Sequence, residues 1–313
     1  MMKMNRRPAM DGKVAIITGA SAGIGEATAR EFAQAGAITV LAARRAERLE
    51  RLQKEIEEMG GIALAVPTDV TDPDQIKHLV QTTVSKFGRI DILANIAGWA
   101  LYQWLEKMSH EQLRKAFDVN VIGLAEMTRQ VIPVMQRQHS GLIMNMSSYA
   151  SRISTPPLTV YASTKYAVEG LTDGMRRSLL PWGITVIRIH PSSVSGTEFN
   201  DRVVREGGIQ YRSLPIGRIS RERLARHLVE LVEQPRRALF ISRLYDPLVF
   251  LNKYFPQLVD LFTSRWVRNQ RKKELPPAEE VAPVRYKSSF SMWQLIGALA
   301  MFTLITRLWH RKL

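Results

Sequence analysis

The sequence contains no cysteine, and this absence excludes three kinds of chemistry. A chain without thiols forms no disulfides, ligates no metal through sulfur and has no thiol nucleophile. The absence does not fix the compartment. The first ten residues are basic and carry no apolar run, so we expect no signal peptide there. The sequence also has no visible internal repeat.

Acidic residues are few relative to basic ones, with 29 Asp and Glu against 44 Lys and Arg and a net charge of +15. This balance suggests contact with anions such as nucleotide phosphates, anionic lipid or nucleic acid. No nucleic-acid recognition motif is present, so we expect no nucleic-acid partner. The 313 residues, 45% of them hydrophobic, suffice for one large domain with an appendage.

Short apolar runs alternate with helical patterns along most of the chain. The predicted strands are residues 13–17, 39–43, 62–66, 90–94, 141–146, 184–189 and 239–241. The pattern predicts an α/β fold, a doubly wound parallel sheet of the Rossmann type in one catalytic domain, followed by a C-terminal helical extension. Ligands of such sheets bind beyond the carboxyl ends of the strands.

A glycine-rich turn at residues 18–25, Thr-Gly-Ala-Ser-Ala-Gly-Ile-Gly, separates the first predicted strand from a helix. Glycine permits close approach of the backbone to a phosphate, and a helix N-terminus favours negative charge. A tight turn with incidental glycines is the alternative. Arg44 and Arg45 follow the second strand, where a carboxylate would select NAD. Arginine accommodates a 2′-phosphate, which favours NADP(H), although two solvated arginines at a helix start remain possible.

Tyr161 and Lys165 are four residues apart, which places both side chains on one face of the helix predicted over residues 160–180. An ammonium near a phenol favours the phenolate and lowers its pKa, so Tyr161 is a candidate general acid and base. Ser148 precedes Tyr161 by 13 residues and could hold the reacting oxygen. The alternative is a surface Tyr and Lys on an amphipathic helix.

Together these motifs resemble the short-chain dehydrogenase/reductase family of the compact type over residues 11–245. The resemblance is carried by residues 18–25, Asp69, residues 95–98, Asn120, Ser148, Tyr161 and Lys165, in family-like order and spacing. It implies an oxidoreductase that interconverts a carbonyl and an alcohol by hydride transfer, with NADP(H) preferred and NAD(H) possible. A non-catalytic NADP- or lipid-binding module on the same fold is the alternative.

The resemblance also assigns roles to residues. Tyr161 is implied to be the proton donor and acceptor, Lys165 to lower its pKa, Ser148 to bind the substrate oxygen and Asn120 to support a water chain. No metal is expected. The implied cofactor-binding residues are Gly19, Ser21, Gly23, Ile24, Gly25, Arg44, Arg45, Asp69, Val70, Asn95, Ala97, Gly98, Tyr161, Lys165 and Val194.

Three positions depart from the family pattern. Ile96 replaces a common second asparagine, and Ala22 lacks the basic residue that many NADP-using members carry. Residues 191–197 lack the usual glycine after proline and place the threonine one residue late. The second departure weakens the NADP(H) prediction, and the third makes the nicotinamide contacts of this loop less secure. We expect residues 195–215 to form a substrate loop.

Beyond residue 245 the family pattern stops. We divide the rest into a basic amphipathic helical segment at 246–273, a linker at 274–287, a transmembrane or interfacial helix at 288–306 and a basic tail at 307–313. A helix docked on the core or on a dimer partner remains an alternative for the first segment.

These segments predict membrane association with a cytoplasmic catalytic domain, and an apolar substrate that is lipid, steroid-like or isoprenoid. The family also implies a homodimer or homotetramer.

Overall fold

The computed structural model describes residues 10–198, 204–205, 217–272 and 274–276. The strands are β1 Val14–Thr18, β2 Ile38–Ala43, β3 Ile62–Pro67, β4 Ile92–Asn95, β5 Leu101–Tyr102, β6 Gly141–Met146, β7 Ile184–His190, β8 Val194–Ser195, β9 Val204–Arg205, β10 Ile219–Ser220 and β11 Ala238–Phe240. The α-helices are α1 Gly23–Gln34, α2 Ala46–Glu58, α3 Pro73–Phe87, α4 His110–Phe117, α5 Gly123–Gln138, α6 Thr159–Leu179, α7 Arg221–Glu233, α8 Asp246–Tyr254 and α9 Pro256–Gln270.

Within the described ranges, seven strands form one parallel sheet in the order β11-β7-β6-β4-β1-β2-β3. Alternate residues of β1 point to opposite faces, because side chains alternate along a strand. Ala15 and Ile17 join a core with residues of α1, α2 and α7, whereas Val14 and Ile16 join a core with residues of α3, α5 and α6. The predicted doubly wound parallel sheet is confirmed.

Helix α3 has the end signals that its sequence encodes. The Asp72 side chain accepts hydrogen bonds from the backbone N–H groups of Asp74 (2.9 Å) and Gln75 (3.2 Å), and Pro73 begins the helix. Gly88 ends it at φ +74°, a conformation that glycine adopts without strain. These signals set the helix bounds between β3 and β4.

The helical region from Ser109 onward that carries Asn120 is not one continuous α-helix. A capping box formed by Ser109 and Gln112 starts α4, but a π-helical turn at Asp118–Ile122 separates α4 from α5. Such turns place a side chain out of the regular helical register and occur often at functional sites. Asn120 lies within this turn and is buried.

Only parts of the expected substrate loop at 195–215 lie in the described ranges. Strand β8 pairs in parallel with β10, and β9 pairs with β5, so this segment contributes two short strands that the sequence did not indicate. Residues 199–203 and 206–216 lie outside the described part of the chain.

The chain divides into two compact units after Pro247. The second unit contains α9, which begins at Pro256, and its Leu258, Leu261 and Phe262 side chains are exposed. The predicted membrane segment at 288–306 lies outside the described residues. In the part of the chain that the structure describes, no helix has the length and hydrophobicity needed to cross a bilayer.

The buried Asp91 carboxylate ties β1 to β4 at the edge of the sheet opposite the glycine turn. Its Oδ2 accepts hydrogen bonds from the Val14 backbone N–H (2.9 Å) and from Arg89 Nε (2.8 Å). Arg89 Nη2 donates to Oδ1 at 2.6 Å. Asp91 is 6% exposed, whereas the Arg89 side chain is 54% exposed. The carboxylate is therefore the buried member of the pair.

We expect Asp91→Ala to lower the free energy of unfolding by about 1–3 kcal/mol, because it leaves a buried backbone N–H without its acceptor. Arg89→Ala should cost less than about 1 kcal/mol, because the guanidinium is largely in water. Urea denaturation of both variants measures the difference. Equal losses in the two variants would contradict the role assigned to the carboxylate.

Candidate functional site

Three of the predicted catalytic side chains meet at the carboxyl edge of the sheet. Ser148 follows the end of β6, while Tyr161 and Lys165 lie one turn apart on α6. The side chains of Ser148 and Tyr161 share a hydrogen bond. Lys165 Nζ lies 5.6 Å from the centroid of the Tyr161 ring. The Ser148 hydroxyl also accepts a hydrogen bond from the Ala150 N–H at 3.1 Å, which fixes its position after the strand.

Lys165 is a buried ammonium with a backbone partner. It is 4% exposed, and Nζ donates a hydrogen bond to the Met146 carbonyl oxygen at 2.9 Å. Burial lowers its pKa to about 8, because removal from water disfavours the charged form, and the nearby Glu169 carboxylate partly opposes this shift. Lys165 is therefore charged at neutral pH but close to losing its proton.

The pKa of the Tyr161 phenol shifts in the opposite direction from the one that the sequence predicted, and burial is the cause. It raises the pKa of Tyr161 to about 12, and the hydrogen bond from Ser148 only partly lowers it. The expectation that Lys165 brings this pKa below its ordinary value is therefore not met here. Desolvation is the largest cause, since the ring packs against the apolar cluster of Ala100, Tyr102 and Leu158, and the hydrogen bond with Ser148 is the cause that opposes it.

Asn120 is 1% exposed and joins two segments of the site. Its Nδ2 donates to the Trp99 carbonyl at 2.8 Å and to Thr164 Oγ1 at 3.1 Å, and its Oδ1 accepts from the Trp99 N–H at 2.8 Å. It thereby fixes the chain after β4 against the helix that carries Lys165. The water chain implied for Asn120 remains a prediction.

The glycine turn has the geometry of a phosphate site. Gly19 has φ +73°, and a Cβ on Gly25 would lie 2.3 Å from the Gly19 carbonyl oxygen, so the turn is too tight for side chains there. Ala22 caps α1 without a side-chain hydrogen bond. The first backbone N–H groups of α1 are thus suited to an anionic ligand, and the residues present fit a dinucleotide pyrophosphate.

The two predicted 2′-phosphate ligands occupy different places. Arg45 donates to Ser21 Oγ from Nη2 (2.8 Å) and Nε (3.1 Å), so it lies against the glycine turn. Arg44 is 69% exposed, with Nη1 3.8 Å from Asp69 Oδ2. The geometry gives Arg45, rather than Arg44, the direct contact with the turn. The phosphate-binding role of either residue remains a prediction.

The other predicted cofactor residues line the same edge. Asp69 Oδ1 accepts from the Thr71 N–H and hydroxyl at 2.9 and 2.8 Å. Asn95 donates to Thr128 (3.0 Å) and Asn145 (2.9 Å), which ties β4 to the structure beside it. Its Oδ1 is buried and has no hydrogen-bond partner among the described residues.

The remaining predicted residues of this edge are held by backbone contacts. Ala97 N–H donates to Thr18 Oγ1 at 3.1 Å, which joins the chain after β4 to the end of β1. A Cβ on Gly98 would lie 3.4 Å from Asn120 Oδ1 and 4.0 Å from Lys165 Nζ, so the backbone passes close to both side chains. Val70 follows Asp69, and Val194 lies in β8, paired with Ile219.

Sequence reasoning missed a polar network beneath Ser148. Glu169 Oε1 accepts from Ser147 Oγ at 2.5 Å and from Ser151 Oγ at 3.2 Å, and Arg188 donates to its Oε2 at 3.0 Å. His190 lies fully buried with Nε2 3.5 Å from Glu169, and burial lowers its pKa despite the carboxylate. The sequence offered one signal for this network: Glu169 lies one helical turn after Lys165 on the same helix.

Residues 13–207 match the short chain dehydrogenase family. A curated relative from Thermotoga maritima, the 3-oxoacyl-(acyl-carrier-protein) reductase FabG, is 36% identical over 214 residues, which cover 68% of this chain and 86% of the relative. The chain is thus similar to the relative over most of that protein's length.

Two solved structures are also similar. A 3-ketoacyl-(acyl-carrier-protein) reductase from Brucella melitensis, complexed with NADH, has a TM-score of 0.65 and 32% identity, covering 73% of this chain and 96% of its own. A metagenomic short-chain oxidoreductase in complex with NADP has a TM-score of 0.63 and 26% identity, covering 75% and 96%.

The family match, the parallel sheet and the grouping of Ser148, Tyr161 and Lys165 agree with one another. This chain belongs to the short-chain dehydrogenase/reductase family and is an NAD(P)-dependent oxidoreductase that acts on CH–OH groups.

Proposed function

We propose that the protein is an NADP(H)-preferring oxidoreductase that interconverts an apolar carbonyl compound and its alcohol. The observation that carries this proposal is the hydrogen-bonded pair of Ser148 and Tyr161 beside the buried Lys165, with the Tyr161 ring in an apolar cluster. A hydroxyl that donates a proton and is surrounded by apolar side chains suits a carbonyl group on a hydrophobic molecule.

When bound, the dinucleotide supplies or accepts the hydride. The chain contributes the proton and the orientation of the substrate oxygen. The Tyr161 hydroxyl donates its proton to that oxygen in the reductive direction, and the Ser148 hydroxyl donates a hydrogen bond to it. The Lys165 ammonium stabilises the phenolate that remains on Tyr161. The raised pKa of Tyr161 keeps the proton on its hydroxyl, as donation in the reductive direction requires.

The NADP(H) preference is supported by positive charge at the glycine turn. Arg45 is bonded to Ser21 there, and Arg48 lies one helical turn further along α2. Guanidinium groups bind phosphate oxygens through paired hydrogen bonds. The similar structures were solved with NADH and with NADP, so both cofactors are compatible with the fold.

The proposal includes association with an anionic membrane through α9. Leu258, Leu261 and Phe262 are exposed by 46%, 46% and 62%, and Arg265 and Arg268 lie on the same helix. Exposed apolar side chains with flanking arginines suit a helix at a lipid surface. An apolar substrate is consistent with such a location.

We also propose a homodimer or homotetramer. Phe117, Ile122 and Tyr166 are exposed apolar or aromatic side chains on α4, the π-helical turn and α6. Their exposure favours burial of this helical surface against a second copy of the chain.

Sedimentation of the full chain tests the assembly, and a monomer at micromolar concentration would contradict it.

The proposed reaction is tested with Tyr161→Phe, which removes only the hydroxyl. We expect turnover of apolar ketones with NADPH to fall by about 10²–10⁴-fold, because proton transfer to the substrate oxygen is lost. The affinity for NADP⁺, measured by calorimetry, should stay close to that of the unmodified chain.

Tyr166→Phe on the same helix provides the matched control, since Tyr166 is exposed. It should retain full turnover. A screen that pairs apolar and small polar ketones with NADPH and NADH reads substrate and cofactor preference together. Retained turnover in Tyr161→Phe would reject the proposed chemistry, and equal use of both ketone classes would reject the apolar substrate.

The lowered pKa of Lys165 predicts a pH limit on reduction. As the pH rises through about 8, Lys165 loses the charge that stabilises the phenolate, while Tyr161, with its pKa of about 12, keeps its proton. We therefore expect kcat/KM for reduction, which reports groups of the free enzyme, to decline above about pH 8.

Lys165→Arg keeps a positive charge at all accessible pH values, because a guanidinium does not lose its proton in proteins. Whatever its absolute rate, its pH profile should lack the decline near pH 8. If the decline persists unchanged in Lys165→Arg, it does not come from Lys165.

The membrane proposal is tested with Phe262→Glu in the full chain. Loss of an aromatic side chain that the proposal inserts into the lipid should lower the partition coefficient onto anionic phosphatidylglycerol vesicles by about tenfold or more, measured by co-sedimentation. Leu244→Glu adds the same charge at another exposed apolar residue and should leave partitioning unchanged. Equal partitioning of the two variants would count against α9 as the contact.

A further inference from the structure

Glu198 bridges two arginines at the predicted 2′-phosphate site. Its Oε2 lies 3.2 Å from Arg45 Nη1, and its Oε1 lies 2.6 Å from Arg48 Nη1. Arg45 at the same time donates to the hydroxyl and the carbonyl oxygen of Ser21 in the glycine turn. One carboxylate therefore holds two guanidinium groups, that of Arg45 directly before α2 and that of Arg48 within it.

The segment that carries Glu198 also covers the turn. Strand β8 anchors the segment through its pairing with β10, and Gly196 follows at φ +73°. Thr197 then lies over Gly23, where a Cβ on the glycine would come 3.4 Å from Thr197 Cβ. Two successive residues, Thr197 and Glu198, thus contact two parts of the predicted dinucleotide site.

A carboxylate and a phosphate monoester compete for the same kind of donor. A monoester carries a charge of about −1.5 to −2 at neutral pH and three acceptor oxygens, against one charge and two oxygens for Glu198. The side chains of Arg45, Arg48 and Glu198 are each about one-third exposed, at 32%, 35% and 38%. Ion pairs with this much access to water are weak enough to exchange.

We propose that Glu198 limits the preference for NADP(H) by competing with the 2′-phosphate for Arg45 and Arg48. This inference rests on the proposed NADP(H) preference. A cofactor with a free 2′-hydroxyl leaves Glu198 on both arginines, whereas one with a 2′-phosphate requires Glu198 to release them. Glu198 therefore narrows the discrimination between the two cofactors, and the position of residues 196–198 depends on which cofactor is bound.

The test is Glu198→Gln in the full chain, with the dissociation constants of NADP⁺ and NAD⁺ measured by calorimetry without substrate. We expect the dissociation constant of NADP⁺ to fall by about threefold to tenfold, since a neutral amide competes poorly for two guanidinium groups. The value for NAD⁺ should change much less. Raised salt should shrink the difference, because the site is partly exposed.

Glu47→Gln is the matched control. Glu47 is an exposed residue of α2 between Arg45 and Arg48, and in the described ranges it forms no ion pair. The variant removes the same charge without touching the bridge, so it should leave the ratio of the two dissociation constants unchanged. In an Arg48→Met background the effect of Glu198→Gln should diminish, as expected for groups that share one contact.

The outcomes separate this inference from the proposed function. If the unmodified chain prefers NADP⁺ and Arg45→Met abolishes the preference, but Glu198→Gln behaves like Glu47→Gln, the inference alone fails. If Arg45→Met changes nothing and the unmodified chain binds both cofactors equally, the proposed preference fails. A selective gain for NADP⁺ in Glu198→Gln that Arg48→Met diminishes supports the competition, and weaker NADP⁺ binding overturns it.

Discussion

The hydrogen bond between the Lys165 ammonium and the Met146 carbonyl is the contact on which the site depends. A buried ammonium is tolerated only where an acceptor replaces water, and here the last residue of β6 supplies it at 2.9 Å. The contact fixes the distance between β6 and α6. Ser148, two residues beyond Met146, is thereby held beside Tyr161, one turn before Lys165. Asn120 secures the same helix from the other side through Thr164.

The opposite pKa shifts of Tyr161 and Lys165 have one cause. Both groups are removed from water, and burial disfavours whichever form is charged: the phenolate of Tyr161 and the ammonium of Lys165. The site therefore holds a phenol that keeps its proton at neutral pH beside an ammonium that loses its proton near pH 8. This combination suits proton donation to a developing alkoxide, because the Lys165 charge stabilises the phenolate that proton donation leaves on Tyr161.

Much of this arrangement was predictable, because local patterns encode it. Apolar runs fixed the strands, and the four-residue spacing placed Tyr161 and Lys165 on one helical face. The sign of the Tyr161 pKa shift was not predictable, because spacing reports the neighbouring charge and not the loss of water around the ring.

Contacts between distant residues were the second limit on prediction. Glu198 lies 150 residues from Arg48, and the hydrogen bonds of Asn120 reach Trp99 and Thr164, which lie 21 and 44 residues away. The predicted segment at 288–306 falls outside the described residues, so its role remains a prediction.

The glycine turn and the segment over it are joined by a second, independent contact. Arg221, the first residue of α7, donates to Glu26 of α1 at 3.1 Å, and a Cβ on Gly196 would lie 3.6 Å from its Cδ. Gly196, at the start of the segment, thus lies beside Arg221, which is bound to α1. The Glu198 side chain is paired with Arg48 of α2. Glu198 follows Thr197 directly, so a backbone movement that takes Glu198 off the arginines would also change the contacts around Thr197. Because linkage is reciprocal, if a substrate that contacts residues 196–198 changes the affinity for a 2′-phosphate, the phosphate changes the affinity for that substrate by the same factor.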